Sequence, residues 1–188
     1  MKRGIVIIIM GSRSDEAHAR KIVEAASGLG IESELRVASA HKNPGDLLEI
    51  LARYEADGRP KVYVTVAGRS NALSGFVDGA VRAPVLACPP PSDAYGGVDL
   101  WSSVRMPGGI AAALVMDPAN AALFAAKILA LADPSIEGGI RVAREARVAE
   151  IRSADSELRR KEAGGQAEVN ADASAGAGAS GRLGEGTR

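Results

Sequence analysis

The chain has 188 residues, of which 46% are hydrophobic and 24% charged, and its formal net charge is zero. This length and hydrophobic content suffice for one domain with a buried core. Balanced charge and only 3% aromatic residues argue against a nucleic-acid surface, and no apolar run has the length of a membrane span. We therefore expect a soluble cytoplasmic protein without nucleic-acid or membrane partners.

Short apolar runs alternate with helical patterns along the chain. In order, they predict strand 5–10, helix 15–29, strand 33–37, helix 44–56, strand 61–67, helix 72–81, strand 85–87, helix 100–104, strand 111–116 and helix 118–131. Such alternation is typical of a parallel sheet with right-handed crossovers. We predict a three-layer, flavodoxin-like (Rossmann-like) α/β domain over residues 1–133.

The C-terminal part has a different composition. Residues 136–160 predict a long charged helix with a thin apolar stripe at Ile140, Val142, Val148 and Ile151. This helix is too polar for a core, so we interpret residues 134–161 as a C-terminal helical arm. Gly, Ala, Ser and Glu dominate from Glu162 onward, which predicts a disordered low-complexity tail over residues 162–188.

Cysteine and histidine are scarce. The single cysteine, Cys88, cannot form an internal disulfide, and two histidines give no metal-site spacing. We expect Cys88 to be a buried small side chain rather than a nucleophile. We expect His18 to be exposed on the first helix without a role. The sequence predicts no metal and no cofactor.

Polar turns follow the first three predicted strands. Parallel strands place their carboxyl ends at one edge of a sheet, so these turns should meet where open α/β sheets bind ligands. In the first turn, helix-start N–H groups and the hydroxyls of Ser12 and Ser14 suit an anion, and the Asp15 carboxylate suits ribose hydroxyls. The alternative is that Ser14 and Asp15 only cap the helix.

The second turn contains Ser39, Ala40, His41 and Lys42, and Asn43 follows as the expected helix N-cap. An imidazole exchanges protons near neutral pH, so His41 is the candidate acid/base group. Lys42 could pair with a phosphate. The alternatives are a structural or solvated histidine and an ordinary surface lysine.

The third turn contains Gly68, Arg69, Ser70 and Asn71. Gly68 lets the backbone approach a ligand, and the other three side chains supply donors. Arg69 is either a ligand clamp or a surface residue. Residues 89–93, three prolines followed by Ser and Asp, form either a rigid wall near the site or a simple turn at the sheet edge.

These motifs together resemble the PurE family of purine biosynthesis. The resemblance spans residues 5–133, and it is carried by GSRSD at 11–15, SAHK at 39–42, AGRSNALSG at 67–75 and PPPSD at 89–93. Within the family the chain resembles class II, the aminoimidazole ribonucleotide carboxylase that uses carbon dioxide directly. Lys42, Ala72 and the triple proline carry this assignment, because class I mutases typically have Arg and His at the first two positions.

The resemblance implies reversible carboxylation of 5-aminoimidazole ribonucleotide to 4-carboxy-5-aminoimidazole ribonucleotide, without ATP, biotin or metal. It assigns proton transfer to His41 and ribonucleotide contacts to Ser12, Asp15, Ser39, Lys42 and Ser70. It also implies a homo-octamer with active sites shared between subunits, which gives the helical arm a purpose. The alternatives are the class I N-carboxyaminoimidazole ribonucleotide mutase and, more distantly, a non-enzymatic flavodoxin-like binding module.

Overall fold

A computed structural model describes residues 3–178 of the protein. For Tyr95 and residues 163–178 it describes the backbone only. Its sheet has five parallel strands in the order β2-β1-β3-β4-β5. The strands are β1 (Ile5–Met10), β2 (Glu32–Val37), β3 (Lys61–Val66), β4 (Val85–Ala87) and β5 (Ala113–Leu114). This order is the flavodoxin-like one, and it confirms the predicted fold class.

Helices connect the strands and cover both faces of the sheet. The helices on the two faces are α1 (Glu16–Gly28), α2 (Pro44–Ala56), α3 (Ala72–Ala80) and α5 (Pro118–Ala130). The short α4 (Trp101–Val104) lies between β4 and β5 in the chain, and α6 (Glu137–Gly178) follows α5. Single 3-10 segments precede three of the helices, at Arg13–Asp15, Ala94–Leu100 and Pro134–Ile136. The described residues include no helix with the length and hydropathy that a bilayer crossing requires.

The central strand β1 explains why the domain has three layers. All six of its residues are at most 3% exposed. Its even-numbered side chains lie in a core with α1 and α5, and its odd-numbered side chains lie in a second core with α2 and α3. Burial of each such aliphatic side chain contributes about 1.5–3 kcal/mol. A strand buried on both faces has no polar alternation, which is why it is a continuous apolar run in the sequence.

The fifth strand is shorter than the sequence predicts. Residues 111–116 were expected to be extended, yet only Ala113–Leu114 pairs with β4. On both sides of the strand, backbone N–H groups donate to carboxylate side chains instead of to a neighbouring strand. Ala111 N–H donates to the Asp78 carboxylate at 2.7 Å, and Asn120 N–H donates to the Asp117 carboxylate at 2.8 Å. The second of these bonds caps α5.

The chain divides into two units after Ala143. In the first unit, Ile136, Ile140 and Ala143 pack against the core that contains α1 and α5. In the second unit, every side chain described up to Glu162 is exposed. The α6 backbone continues to Gly178, whereas the sequence predicted disorder from residue 162, and the alanines of this segment favour helix. Residues 179–188 of the predicted tail lie outside the described residues, and the domain limits at 133 and 161 stay predictions.

Candidate active site

Three turns meet at the carboxyl edge of the sheet because β1 lies between β2 and β3. They line a cavity of about 460 Å³. Of the predicted site residues, all except Asn71 line it: Ser12, Ser14, Asp15, Ser39, Ala40, His41, Lys42, Gly68, Arg69 and Ser70. Gly11, Ala67 and Leu73 complete the lining. The topology therefore brings together segments that are far apart in the sequence.

In the first turn, Ser12 caps the 3-10 segment Arg13–Asp15, whereas the sequence offered Ser14 and Asp15 as capping residues. Ser14 N–H donates to Ser12 Oγ at 3.1 Å, and the two hydroxyls lie 2.7 Å apart. Asp15 occupies the N-cap position of α1, but its side chain makes no capping bond. Partial burial raises the pKa of Asp15, while the Ser12 backbone bond, His18 and Arg69 oppose that rise. The capping alternative is thus wrong for Asp15, whose carboxylate lines the cavity.

The second turn is closed by Asn43, which occupies the predicted N-cap position of α2, directly before Pro44. Its side chain makes no capping bond to the helix. Its Oδ1 instead accepts from Ser39 N–H at 2.7 Å, and its Nδ2 donates to Asp46 at 3.0 Å. Lys42 N–H donates to Ser39 Oγ at 3.3 Å. These bonds fix a short loop on which His41 and Lys42 are exposed at the cavity.

The third turn contains a strained residue and a buried one. Arg69 is exposed and has a φ of 60°, the left-handed region that non-glycine residues rarely adopt. Asn71 is only 3% exposed and does not line the 460 Å³ cavity. Its Nδ2 donates to Ser103 Oγ at 2.7 Å, and its Oδ1 accepts from Ser74 N–H at 3.4 Å. Asn71 instead lines a neighbouring cavity of about 220 Å³, and its predicted ligand contact stays a prediction.

The proline run lines a second, smaller cavity. Pro89, Pro90 and Pro91 line a space of about 220 Å³ together with Leu100 and Met116. This cavity shares three lining residues with the larger one, namely Ala67, Gly68 and Arg69. The prolines follow β4, and the turn with His41 follows β2, on the other side of β1 and β3 in the sheet. A wall near the site stays a prediction.

His18 and Cys88 form a contact that the sequence did not predict. His18 is partly buried rather than exposed, and its Nε2 lies 3.5 Å from Cys88 Sγ. Cys88 is fully buried, as predicted, and burial raises the pKa of its thiol to about 12. This rise disfavours the thiolate, which is the nucleophilic form of cysteine. Burial also lowers the pKa of His18.

No group of three or more His, Cys, Asp or Glu side chains with metal-binding geometry occurs in the part of the chain that the structure describes. The fold and the cavity define an α/β protein of flavodoxin-like strand order, with a polar ligand site at the carboxyl edge of its sheet. A sequence model described as AIR carboxylase matches residues 5–150. The chain belongs to this AIR carboxylase family, which confirms the resemblance found in its motifs.

Similar proteins cover most of the chain. The phosphoribosylaminoimidazole carboxylase of Treponema denticola is 51% identical over 84% of this chain and 99% of its own length. The protein of the same name from Archaeoglobus fulgidus is 50% identical over 81% of this chain and 84% of its own length. A crystal structure of Treponema denticola PurE has a TM-score of 0.81 and 51% identity, covering 83% of this chain and 99% of that chain.

Proposed function

We propose that this protein carboxylates 5-aminoimidazole ribonucleotide with carbon dioxide in purine biosynthesis. The product is 4-carboxy-5-aminoimidazole ribonucleotide, and the reaction requires no ATP, biotin or metal. The observation that carries the proposal is the convergence of His41, Lys42, Asp15 and Arg69 on one cavity in a chain of the AIR carboxylase family. Two relatives that are about half identical to the chain bear the name phosphoribosylaminoimidazole carboxylase.

The cavity suits a ribonucleotide in size and in chemistry. Its volume of about 460 Å³ falls within the range of roughly 300–1,000 Å³ that is usual for small-molecule sites. Lys42, Ser39 and Ser70 would hold the phosphate and sugar, each charge-assisted bond contributing about 1.5–3 kcal/mol. The Asp15 carboxylate would accept from ribose hydroxyls, since it would repel a phosphate.

The aminoimidazole ring supplies its own nucleophile. It is an electron-rich enamine, so its ring carbon attacks carbon dioxide and forms the new carbon–carbon bond. The attacking ring carbon then carries both the new carboxylate and its original hydrogen, and the ring carries positive charge. His41 accepts that proton, which returns the electron pair to the ring and restores aromaticity. In the reverse reaction the His41 imidazolium protonates the same carbon before carbon dioxide leaves.

The N-carboxyaminoimidazole ribonucleotide mutase is the second candidate function. Lys42 and Ala72 favour the carboxylase, because they stand where class I mutases typically have Arg and His. Purified protein should consume 5-aminoimidazole ribonucleotide in bicarbonate-rich buffer without ATP, and removal of carbon dioxide should stop the reaction. Turnover of the N-carboxy compound alone would assign the chain to the mutases instead.

We further propose that the protein assembles with copies of itself, as an octamer by resemblance to the family. Large apolar side chains on the second unit support this proposal. Val148, Ile151 and Leu158 of α6 are 41%, 70% and 57% exposed in the single chain. Apolar side chains in a row on one helix are typical of a surface that a partner helix covers.

A further inference from the structure

We propose that Ser103, assisted by Ser102, is a positioning residue for the third turn of the active site. The two hydroxyls bind Asn71 and thereby hold Arg69 in its left-handed conformation at the cavity. The kinetic part of this inference rests on the proposed carboxylase function, whereas its structural part does not. No feature of the motifs predicts it, because Ser102 and Ser103 lie about thirty residues away in the sequence.

Asn71 is held through both its backbone and its side chain. Its backbone N–H donates to Ser102 Oγ at 2.8 Å, and Ser102 Oγ in turn donates to the Asp99 carbonyl at 2.7 Å. Its side-chain Nδ2 donates to Ser103 Oγ at 2.7 Å. We call Asn71, Ser102 and Ser103 the serine clamp. It joins the third turn to α4, on which Ser102 and Ser103 lie.

Arg69 is the residue that the serine clamp would control. It lies two residues before Asn71, and its φ of 60° is the only positive value among the described non-glycine residues. A left-handed arginine persists only where the surrounding structure imposes it. The Arg69 side chain is exposed, so side-chain packing does not impose this conformation. The clamp on Asn71 is the nearest set of bonds that does.

Burial makes the Ser103 bond the stronger half of the clamp. Asn71 and Ser103 are each 3% exposed, whereas Ser102 is exposed. Every buried side-chain nitrogen and oxygen that the structure describes has a hydrogen-bond partner. Removal of the Ser103 hydroxyl leaves Asn71 Nδ2 without its partner in the protein, whereas Asn71 Oδ1 keeps its bond from Ser74 N–H. Asn71 and Ser103 both line the smaller cavity, of about 220 Å³. The response that we propose is a movement of the third turn, and of Arg69 with it, by which Nδ2 regains a partner.

The test is a double-mutant cycle between Ser103→Ala and Arg69→Ala in the full chain, read as KM and kcat for 5-aminoimidazole ribonucleotide. Because the clamp acts through Arg69, Ser103→Ala should raise KM about fivefold or more and change kcat less than about twofold. It should have no further effect when Arg69 is already alanine. The matched control is Thr65→Val, which removes another buried hydroxyl, 1% exposed and bonded to the Leu86 carbonyl, from the strand before the same turn.

Amide hydrogen exchange provides a readout that does not depend on turnover. Residues 68–71 should exchange faster in Ser103→Ala than in wild type and Thr65→Val. If Ser103→Ala fails to fold, Ser102→Ala at the exposed position should also raise KM and speed the exchange of residues 68–71, but by less. An unchanged KM, additive effects in the cycle or unchanged exchange would overturn the inference. A wild-type protein that neither binds nor turns over the ribonucleotide would refute the proposed function, and the exchange rates would still decide about the clamp.

Discussion

His41 is the side chain on which the proposed proton transfer depends. Asparagine has a similar size and can form hydrogen bonds, but it cannot accept a proton at neutral pH. His41→Asn should therefore bind 5-aminoimidazole ribonucleotide within a few-fold of wild type, while kcat falls by about 10²–10⁴. Calorimetric titration measures the binding, and the carboxylation and decarboxylation rates measure the loss. Near-normal turnover would remove His41 from the mechanism.

His18 links the pH to the stability of the fold. Burial lowers its pKa, so the unfolded chain holds a proton that the folded chain releases. The charged groups near it are Lys21, which assists this lowering, and Asp15 and Asp117, which oppose it. By linkage, the stabilisation is fully present above the ordinary histidine pKa of about 6.5, and it is lost as the pH falls through the lower, folded value.

We therefore expect the free energy of unfolding to decrease from pH 7.5 toward pH 5. His18→Gln, which cannot gain a proton, should show a smaller decrease over that range. Urea denaturation at several pH values measures both slopes. Coinciding slopes would contradict the lowering of the His18 pKa by burial. His41→Gln at the exposed second turn is the control for loss of a histidine.

At the scale of elements, the start of α6 depends on the absence of one side chain. Gly139 lies against the backbone carbonyl of Leu29, at the end of α1, and a Cβ there would overlap the carbonyl oxygen. At the neighbouring Gly138, an added Cβ meets nothing within 4 Å. The Leu29 carbonyl belongs to the backbone and cannot move aside as a flexible side chain can. The contact therefore requires glycine at position 139 but not at position 138.

Gly139→Ala should destabilise the domain by about 1–3 kcal/mol, the usual cost of overpacking. Gly138→Ala is the matched control, and it should be neutral or stabilise by up to about 1 kcal/mol, because alanine is the better helix former. Chemical denaturation of both variants measures the difference. Equal stability of the two variants would show that α6 can begin without this contact.

Elements whose limits depend on their own residues were predicted more accurately than elements whose limits depend on distant residues. β1 was predicted over residues 5–10, its observed range. Burial on both faces requires an apolar side chain at each of the six positions, and such a run is visible in the sequence. The fifth strand was predicted too long, since its length depends on the short partner β4 and on Asp78, a residue outside it. Helix α2 was predicted from its proline start and was also found over its predicted range.

The candidate site was predictable as a set of turns but not in every side chain. The topology rule placed three turns at one edge, and all but one of the predicted residues line the cavity. Asn71 could not be distinguished from its neighbours, because the sequence does not show which donor in a turn points inward. The contact between His18 and Cys88 joins residues seventy positions apart and has no local signal.

At the scale of the whole molecule, the apolar stripe formed by Val148, Ile151 and Leu158 on α6 is the feature that bears on assembly. Ile151→Glu combined with Leu158→Glu should shift the protein toward smaller species, because buried carboxylates are costly in an apolar interface. Ala146→Glu combined with Ser153→Glu adds the same charge to the opposite face of the helix, at 100° per residue, and should leave the assembly unchanged. Light scattering after gel filtration measures the mass. Identical masses for the two double variants would contradict a role for this stripe.

The interior position of β1 in the sheet also has a consequence for synthesis. β1 is translated before both of its neighbours in the sheet, which end only at Val37 and Val66. Until then a six-residue aliphatic strand has unpaired edges on both sides, which is the form of chain that aggregates most readily. The ligand cavity cannot exist before the third turn has been translated. We therefore expect a nascent chain of this protein to aggregate less once β3 has been completed at Val66.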